Sequence, residues 1–535
     1  MNPSAAVTTS LRAKVAALSS PRGLVAPAAW VALALALALA GIPLEHLAHF
    51  GVRNSDNATP VLQASAVLHG NWTLRGWILP QDTFLTSEVP FFIPAVALRG
   101  IAGGLVYTVP TALYLGSALL AAWTAGRGST VRGGLAGAWV VAILLVAVPG
   151  LWGYAVLAPG IAHIGAVWAP LLVFNAVAGE GRQLVRALGA GLLIAFTALG
   201  DPLIVVLGAA PLLLCGLAEL VAGRGGWPAL AGGLGLAGFE LGEKALSTLG
   251  GLQILGVPVH LALVHPRSHL AQALTNANFL LAPFGPSGVA ATVSAALFWV
   301  LVALALGVAL ARYARDPAPV ARLDALLPLA AVGGFLAYAG TDRSTIPLSA
   351  RYLVPAAVMA TIVVGRLCAA AVARGPLPAA AALAAALLIA AVRLGGIAST
   401  LQQPPAPPST VIPVLAYLEA NGYQRGYAPY WDANYSTVES DGRLQVRPLR
   451  ADAGRLAPMP WSVDRAWYEP GPASAGARFV FFREAATAAA ADAAGDLGIY
   501  LDTATATFGP PAQTYHVAGY TILVWDHDIS SDAHW

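Results

Sequence analysis

Residues 24–44 read LVAPAAWVALALALALAGIPL. The run carries no charge and is long enough to cross a bilayer core of about 30 Å as one helix. Arg12, Lys14 and Arg22 precede it, as in a signal peptide. The apolar core of a signal peptide is shorter, about 7–15 residues, so we read the run as a spanning helix. Further apolar runs follow near 104–124, 135–151, 160–178, 187–200, 202–222, 227–242, 290–311, 323–340, 352–370 and 377–395. Gly and Pro interrupt several of them, which membrane helices tolerate when neighbours satisfy the freed backbone groups. The sequence predicts a polytopic α-helical membrane protein with about eleven transmembrane helices.

Composition agrees. Hydrophobic residues make up 57% of the 535 and charged residues 10%, against about 25% charge in a soluble domain. Mean hydropathy is +0.69. This excludes a soluble enzyme, and a net charge of +3 is too small to imply a nucleic-acid or other polyanionic partner. Cys215 and Cys368 both sit in apolar runs, so neither a disulfide framework nor a thiolate metal site is expected. Only Lys14 and Lys244 of the 29 basic residues are lysine. With the heavy use of alanine, that bias points to a GC-rich bacterial genome.

Basic residues set the orientation. With the N-terminus cytoplasmic, the inner loops hold Arg127 and Arg132, then Arg182 and Arg186, then Arg224. Arg312, Arg315 and Arg322 follow, and finally Arg366 and Arg374. The outer loops at 150–160 and around 201 hold none. Two long loops, 45–103 and roughly 243–289, then face outward. In the first, Pro60 to Gly70 reads as a short helix on the interface, with Trp72 and Trp77 at headgroup depth. Residues 1–395 form the membrane domain and 396–410, containing LQQPPAPPST, a Pro-rich linker. Residues 411–535 read as an extracytoplasmic, water-soluble α/β domain. There VIPVLAYLEANGY has helical spacing, and RGYAPYW, RFVFF and YTILVWD resemble strands. The localisation expected is the inner membrane of a bacterial cell, multi-pass.

Ionisable groups near membrane depth are costly and therefore functional candidates. The outer side offers Asp56, Asp82, Glu88, Asp201, Glu240, Glu243 and Asp342. Asp56, in NSDNATPVL, is either a helix cap or a general base for a hydroxyl acceptor. Glu88 is an interfacial charge or a second acid. Asp201, followed by Pro202, complements a helix dipole or serves the substrate. Lys244, His265, Arg267, Arg343 and Arg351 are candidates to hold a phosphate, with Arg351 also able to snorkel to headgroups. His265 and His269 have the i, i+4 spacing of metal ligands, but Pro266 weakens the helix and no third ligand is evident, so no metal site is assigned.

A cytoplasmic N-terminus, one helix and a large outer loop with an early Asp and interfacial helices, together with the Arg-Tyr-Leu-Val-Pro stretch at 351–355, resemble the GT-C superfamily of integral-membrane glycosyltransferases. That superfamily includes protein O-mannosyltransferases, aminoarabinose transferases and arabinofuranosyltransferases. The segments SDNATPVLQA, GWILPQDTFLTSEVP and YWDANYSTVESDGRLQVRPL are also similar to multispanning proteins of actinobacteria. The resemblance implies an inverting transferase that moves a sugar from a polyprenyl-phosphate donor to an extracytoplasmic acceptor: a cell-envelope glycan, a lipid or a protein. Asp56 would be the base, Glu88 a second outer-loop acid and Arg351 a phosphate contact, with membrane lipids as surroundings. Many members carry Asp-Glu where this chain has Asp56-Asn57, which leaves a divalent metal and the acceptor class open. No other cofactor is implied. The alternative is a transporter or flippase for a lipid-linked or small polar substrate. Transporters set charges near the midplane and often show internal repeats, whereas these charges cluster in outer loops. A third reading is a non-catalytic scaffold.

Overall fold

The computed structural model describes residues 21–49, 53–147, 163–256, 259–261, 265–281, 289–316, 318–402, 410–484 and 501–533. The first apolar run forms α1 (Pro21–Ala48). The outer loop after it folds into α2 (Ser55–Leu68), the short strand β1 (Trp77–Pro80) and α3 (Val89–Arg99). Next come α4 (Leu105–Gly126), α5 (Val131–Ala147), α6 (Gly165–Val177) and α7 (Gln183–Ala198). A π-helical turn, Val205–Ala209, leads into α8 (Ala210–Val221) and then α9 (Trp227–Ala245). The second outer loop contributes β2 (Gln253–Leu255) and α10 (Pro266–Leu281). The helical part ends with α11 (Val289–Arg315), α12 (Leu323–Ala339), α13 (Val354–Arg374) and α14 (Pro376–Leu401). Two 3-10 turns, Asp342–Thr345 and Pro347–Leu353, join α12 to α13.

Each apolar run read as a span contains one of these helices. Among the described residues, six segments are long and apolar enough by themselves to cross a membrane: Pro27–Ala48, Leu105–Gly126, Val289–Arg315, Pro319–Ala339, Ser349–Arg374 and Pro376–Ala398. The chain is a multi-pass membrane protein. Helix α14 continues to Leu401, into the stretch read as a linker, and residues 403–409 of that stretch lie outside the described residues.

Small residues let the helices approach. A Cβ on Gly137 of α5 would lie 2.6 Å from the Gly365 carbonyl oxygen of α13, so the two backbones touch, as in small-residue membrane interfaces. The arginines of the basic loops gather at one end of the bundle and cap the C-terminus of α6. Arg127 Nη1 donates to the Asn175 carbonyl at 2.7 Å, Arg186 Nη1 to Ala176 at 3.2 Å and Arg322 Nη1 to Val177 at 2.7 Å. Guanidinium groups there satisfy orphan carbonyls and oppose the negative end of the helix dipole. Two buried carboxylates complete this end. Glu219 accepts from Arg322 Nε at 2.6 Å, and Asp324 from Arg366 Nε at 2.6 Å. Buried ion pairs add little net stability, but breaking one leaves a costly lone charge.

The C-terminal part contains α15 (Val411–Ala420), β3 (Arg425–Pro429), α16 (Tyr430–Glu439), β4 (Gln445–Asp452), β5 (Arg455–Pro458) and β6 (Val463–Asp464). It continues with β7 (Phe479–Arg483), α17 (Leu501–Phe508), β8 (Gln513–Val517) and β9 (Tyr520–Val524). Six strands form one mixed sheet in the order β5-β4-β3-β7-β9-β8, with β3 parallel to β4 and to β7. RFVFF and YTILVWD lie on neighbouring strands, paired antiparallel with Phe481 opposite Ile522. RGYAPYW differs from its expected extension, because β3 ends at Pro429 and Tyr430 starts a helix. The cause is tertiary: the Ser55 hydroxyl of α2 accepts from the Asn434 amide at 2.9 Å and donates to the Tyr430 carbonyl. A serine far away in sequence thus bridges the first turn of this helix.

The same contact corrects the reading of 60–70. Helix α2 starts at Ser55, and instead of lying on an interface it is buried over most of its surface, packed on α3 and α16. Trp77 is 2% exposed and stands edge-on to Trp467, while Trp72 is exposed. A second, three-stranded sheet in the order β2-β1-β6 joins both outer loops to the C-terminal part. Ile78 faces Gln253 in the parallel pair and Val463 in the antiparallel one. One apolar core then runs from Val61, Trp77 and Phe92 to Val438, Phe479 and Trp525. The sheet-bearing part is therefore docked on the first outer loop, and Tyr430 and Ser462 reach Asp56.

Candidate functional site

Asp56 stands in the first turn of α2. Asn54, extended at φ −155°, caps that helix: its side chain accepts from the Asp56 and Asn57 amides at 3.0 and 3.3 Å. The Asn57 side chain accepts in return from the Asn54 amide at 3.1 Å. This reciprocal box satisfies the orphan donors and leaves the Asp56 carboxylate available. Tyr430 donates its hydroxyl proton to Asp56 Oδ1 at 2.5 Å, and Ser462 Oγ lies 3.3 Å from the same phenol oxygen.

Asp56 lines a cavity of about 160 Å³ shared with Thr59, Gln63, Asp82, Arg343, Arg351 and Ser462, among others. Arg351 comes from the 3-10 turn ahead of α13. Its guanidinium lies 5.4 Å from the Tyr352 ring centroid, and its buried Nε has no hydrogen-bond partner among the described residues. A larger cavity of about 270 Å³ adjoins the first and shares Asp82, Arg343 and Tyr352 with it. Its other walls include His163, Asp201, Leu203, Val206, Ala337 and Tyr338. The larger cavity thus combines ionisable groups with an aliphatic patch of Leu203, Val206, Val259 and Ala337.

The turn at 199–201 joins the two. Segment 83–87 lies flat on it: Phe84 donates its amide to the Gly200 carbonyl at 2.7 Å, and Thr83 Oγ1 donates to the Leu199 carbonyl at 2.9 Å. A Cβ at Gly200 would fall 2.6 Å from the Ser87 amide nitrogen, so only glycine permits this approach. Asp201 Oδ1 accepts from the Leu203 amide at 3.0 Å, and Oδ2 pairs with His163 Nδ1 at 2.9 Å. The His163 ring sits between Phe84 and Tyr352, with centroids 5.7 and 4.6 Å away.

Electrostatics follow from burial and these pairs. Burial raises the Asp56 pKa above the usual carboxylate value, while the Tyr430 hydrogen bond and the Arg351 charge hold it back. Burial, with the Asp56 charge, keeps the Tyr430 phenol protonated well past its ordinary range. Ahead of α6, burial would lower the His163 pKa, but the hydrogen-bonded Asp201 carboxylate and then Asp82 raise it overall. Glu88 is pushed up to about 8, first by burial and then by the charge of Asp201.

The site gathers Asp56, Asp82, Arg351, Arg343 and Asp201 from the sequence candidates. Glu88 sits behind the wall: its Oε1 accepts from the Gly165 amide at 2.8 Å, and Ser87 Oγ donates to Oε2. It stands at the start of α6 and lines neither cavity. Lys244 is exposed at the end of α9, and His265 and Arg267 are exposed at the start of α10. None of these three lines either cavity. His269 pairs with Ser344 Oγ at 2.7 Å rather than with His265. Residues that sequence reasoning missed are Tyr430, Ser462, Tyr352 and His163. Of these, His163 left a signal, as the one ionisable residue in the apolar run GIAHIGAVW.

Among solved structures, ArnT from Cupriavidus metallidurans in the apo state aligns over 95% of this chain and 100% of its own, at 14% identity and a TM-score of 0.50. The chain has the GT-C fold. ArnT from the same organism bound to undecaprenyl phosphate aligns at 13% identity over 96% and 100%, with a TM-score of 0.49. The oligosaccharyltransferase AglB from Archaeoglobus fulgidus, in complex with an inhibitory peptide and a dolichol-phosphate, aligns at 12% identity over 85% of this chain and 69% of its own, with a TM-score of 0.47. No family model and no curated protein matches the sequence.

Some members of this fold class carry a divalent metal, and the donor set here does not fit one. Among the described residues no three His, Cys, Asp or Glu converge as ligands. Asp56 meets a phenol, and His163 Nδ1 is taken by Asp201.

Proposed function

We propose that this protein transfers a sugar from a polyprenyl-phosphate carrier to a hydroxyl acceptor at the extracytoplasmic face of a bacterial inner membrane. The observation that carries the reading is the sharing of one cavity by Asp56 and Arg351, beside a second cavity with aliphatic walls. Displacement at an anomeric carbon needs a base for the attacking hydroxyl and positive charge for the departing phosphate. Asp56 supplies the first. Burial lifts its pKa towards the range in which a carboxylate takes a proton efficiently, and Tyr430 fixes its orientation. Arg351 and Arg343 supply the second, a guanidinium fork being suited to phosphate oxygens. Leu203, Val206 and Ala337 give an isoprenoid chain an apolar path to the bilayer.

The acceptor oxygen attacks the anomeric carbon, its proton passes to Asp56, and the bond to the phosphate oxygen breaks. Attack from the face opposite the phosphate inverts the anomeric centre. In this reading 411–535 is the extracytoplasmic domain and covers the acceptor side through Tyr430, Trp461 and Ser462. The arginines at the other end of the bundle then face the cytoplasm.

The test is Asp56→Asn in purified protein given a polyprenyl-phosphate sugar panel. Transfer should fall by about 10²–10⁴-fold, with the melting temperature nearly unchanged because Asn54 caps the helix. Wild-type turnover in the variant removes Asp56 as the base. If wild-type protein transfers no sugar but carries a lipid-linked sugar across liposomes, transport replaces transfer.

A further inference from the structure

His163 has an arrangement that the reaction above does not use. Its backbone is left-handed, at φ 53°, a region that non-glycine residues enter at a cost. The side chain is 1% exposed. Asp201 holds Nδ1 at 2.9 Å, and the Phe84 and Tyr352 rings fix the plane of the imidazole. That leaves Nε2 on the large cavity, with no hydrogen-bond partner among the described residues. Asp82 Oδ2 lies 4.0 Å from Nε2. A buried polar atom without a partner is costly, and here it faces a space that a ligand can fill.

Carboxylates on both sides decide which way a proton moves. The groups facing His163 are Asp201 from the turn before α8, Asp82 and Glu88 from the first outer loop, and Arg343, Arg351 and Tyr352 from the 3-10 turns. Asp201 and Asp82 are the closest and favour the imidazolium, which gives a proton and takes none. Arg343 lines both cavities and places positive charge on the same side.

We propose that His163, oriented by Asp201, is the general acid that protonates the departing prenyl phosphate. This rests on the glycosyl-transfer reading above. When the anomeric carbon–oxygen bond breaks, its electron pair stays on the phosphate. The Nε2 proton passes to a phosphate oxygen, leaving neutral imidazole with its Nδ1–H on Asp201. Asp56 holds the proton from the acceptor and loses it to solvent, and solvent reprotonates Nε2, so the cycle closes without another reactant. A lipid monophosphate is a fitting partner, because its second ionisation, like that of other phosphate monoesters, falls near pH 6, close to the imidazole range.

The experiment compares wild type, His163→Gln and Asp201→Asn by the pH dependence of kcat/KM for sugar transfer, and by the affinity for farnesyl phosphate across pH. Wild type should lose activity on the alkaline side as the imidazolium deprotonates. His163→Gln should lose about 10²-fold or more in kcat and lose that alkaline limb. Its farnesyl phosphate affinity should keep only the pH dependence of the ligand itself. Asp201→Asn should keep the limb but move it to lower pH, which gives an independent reading where His163→Gln folds poorly. Wild-type rate and an unchanged limb in His163→Gln overturn the proposal and leave glycosyl transfer standing. Wild-type protein that neither transfers sugar nor binds farnesyl phosphate removes both.

Discussion

Tyr430 hydrogen-bonds to Asp56 across 374 residues of chain, from the first residue of α16 to the first turn of α2. The bond stabilises the ionised carboxylate and so offsets part of the effect of burial on Asp56. Tyr430→Phe keeps the ring and removes only the donor. The Asp56 pKa should rise, and the acid limb of the rate profile should move to higher pH. Because the bond reaches a charged group, stability should drop by about 1.5–3 kcal/mol at most. A pH–rate profile and a melting curve read the two effects separately. An acid limb that does not move shows that Tyr430 leaves the base untouched.

Arg351 carries a buried Nε without a partner among the described residues, as expected of a group waiting for an anion. Arg351→Ala should lower affinity for a prenyl phosphate by tenfold or more while the protein stays folded. Arg351→Lys should restore only part of it, since an ammonium cannot present two parallel donors. Calorimetric titration with farnesyl phosphate measures this. Wild-type affinity in the alanine variant moves the phosphate to Arg343.

Glu88 gives a prediction about stability rather than rate. Its carboxyl keeps a proton up to about pH 8 in the folded protein, against an ordinary value of 4.5. Folding therefore takes up a proton between those values, and stability falls as pH rises through that window. Glu88→Gln cannot ionise and keeps an acceptor for the Gly165 amide. Its melting temperature should be flatter from pH 4.5 to 8 and exceed that of wild type by a few degrees at the upper end. Parallel curves for the two proteins would show that Glu88 is ionised throughout.

The helices were legible because the bilayer writes its constraint locally: a run such as 24–44 has to satisfy its own backbone inside lipid. The basic loops were legible for a similar reason, and Arg127, Arg186 and Arg322 from three of them meet on the carbonyls of α6. Asp56 and Arg351 stood out as ionisable groups at the margins of apolar segments. Lys244, His265 and Arg267 fitted the same description and point elsewhere. Their directions depend on helix rotation and loop path, which neighbours in space determine. Tyr430 was hidden by its own context, because RGYAPYW reads as a strand and the Ser55 hydroxyl that binds the first turn of the helix starting at Tyr430 is far away in sequence. His163 was passed over inside an apolar run, although a lone imidazole in such a setting is an argument in its own right.

The three-stranded sheet has a consequence for how the protein is made. Strand β1 leaves the ribosome early, but its partners β2 and β6 belong to segments translated much later. At about 5–20 residues per second, the 374 residues between Asp56 and Tyr430 take roughly 20–75 s to synthesise. During that interval the nascent chain holds its base without the phenol that orients it. On the proposed function, the protein is thus assembled inactive and gains its base's partner only late in translation, when β6 and Tyr430 close onto the first loop. Any chain released early carries the membrane helices but not the reaction.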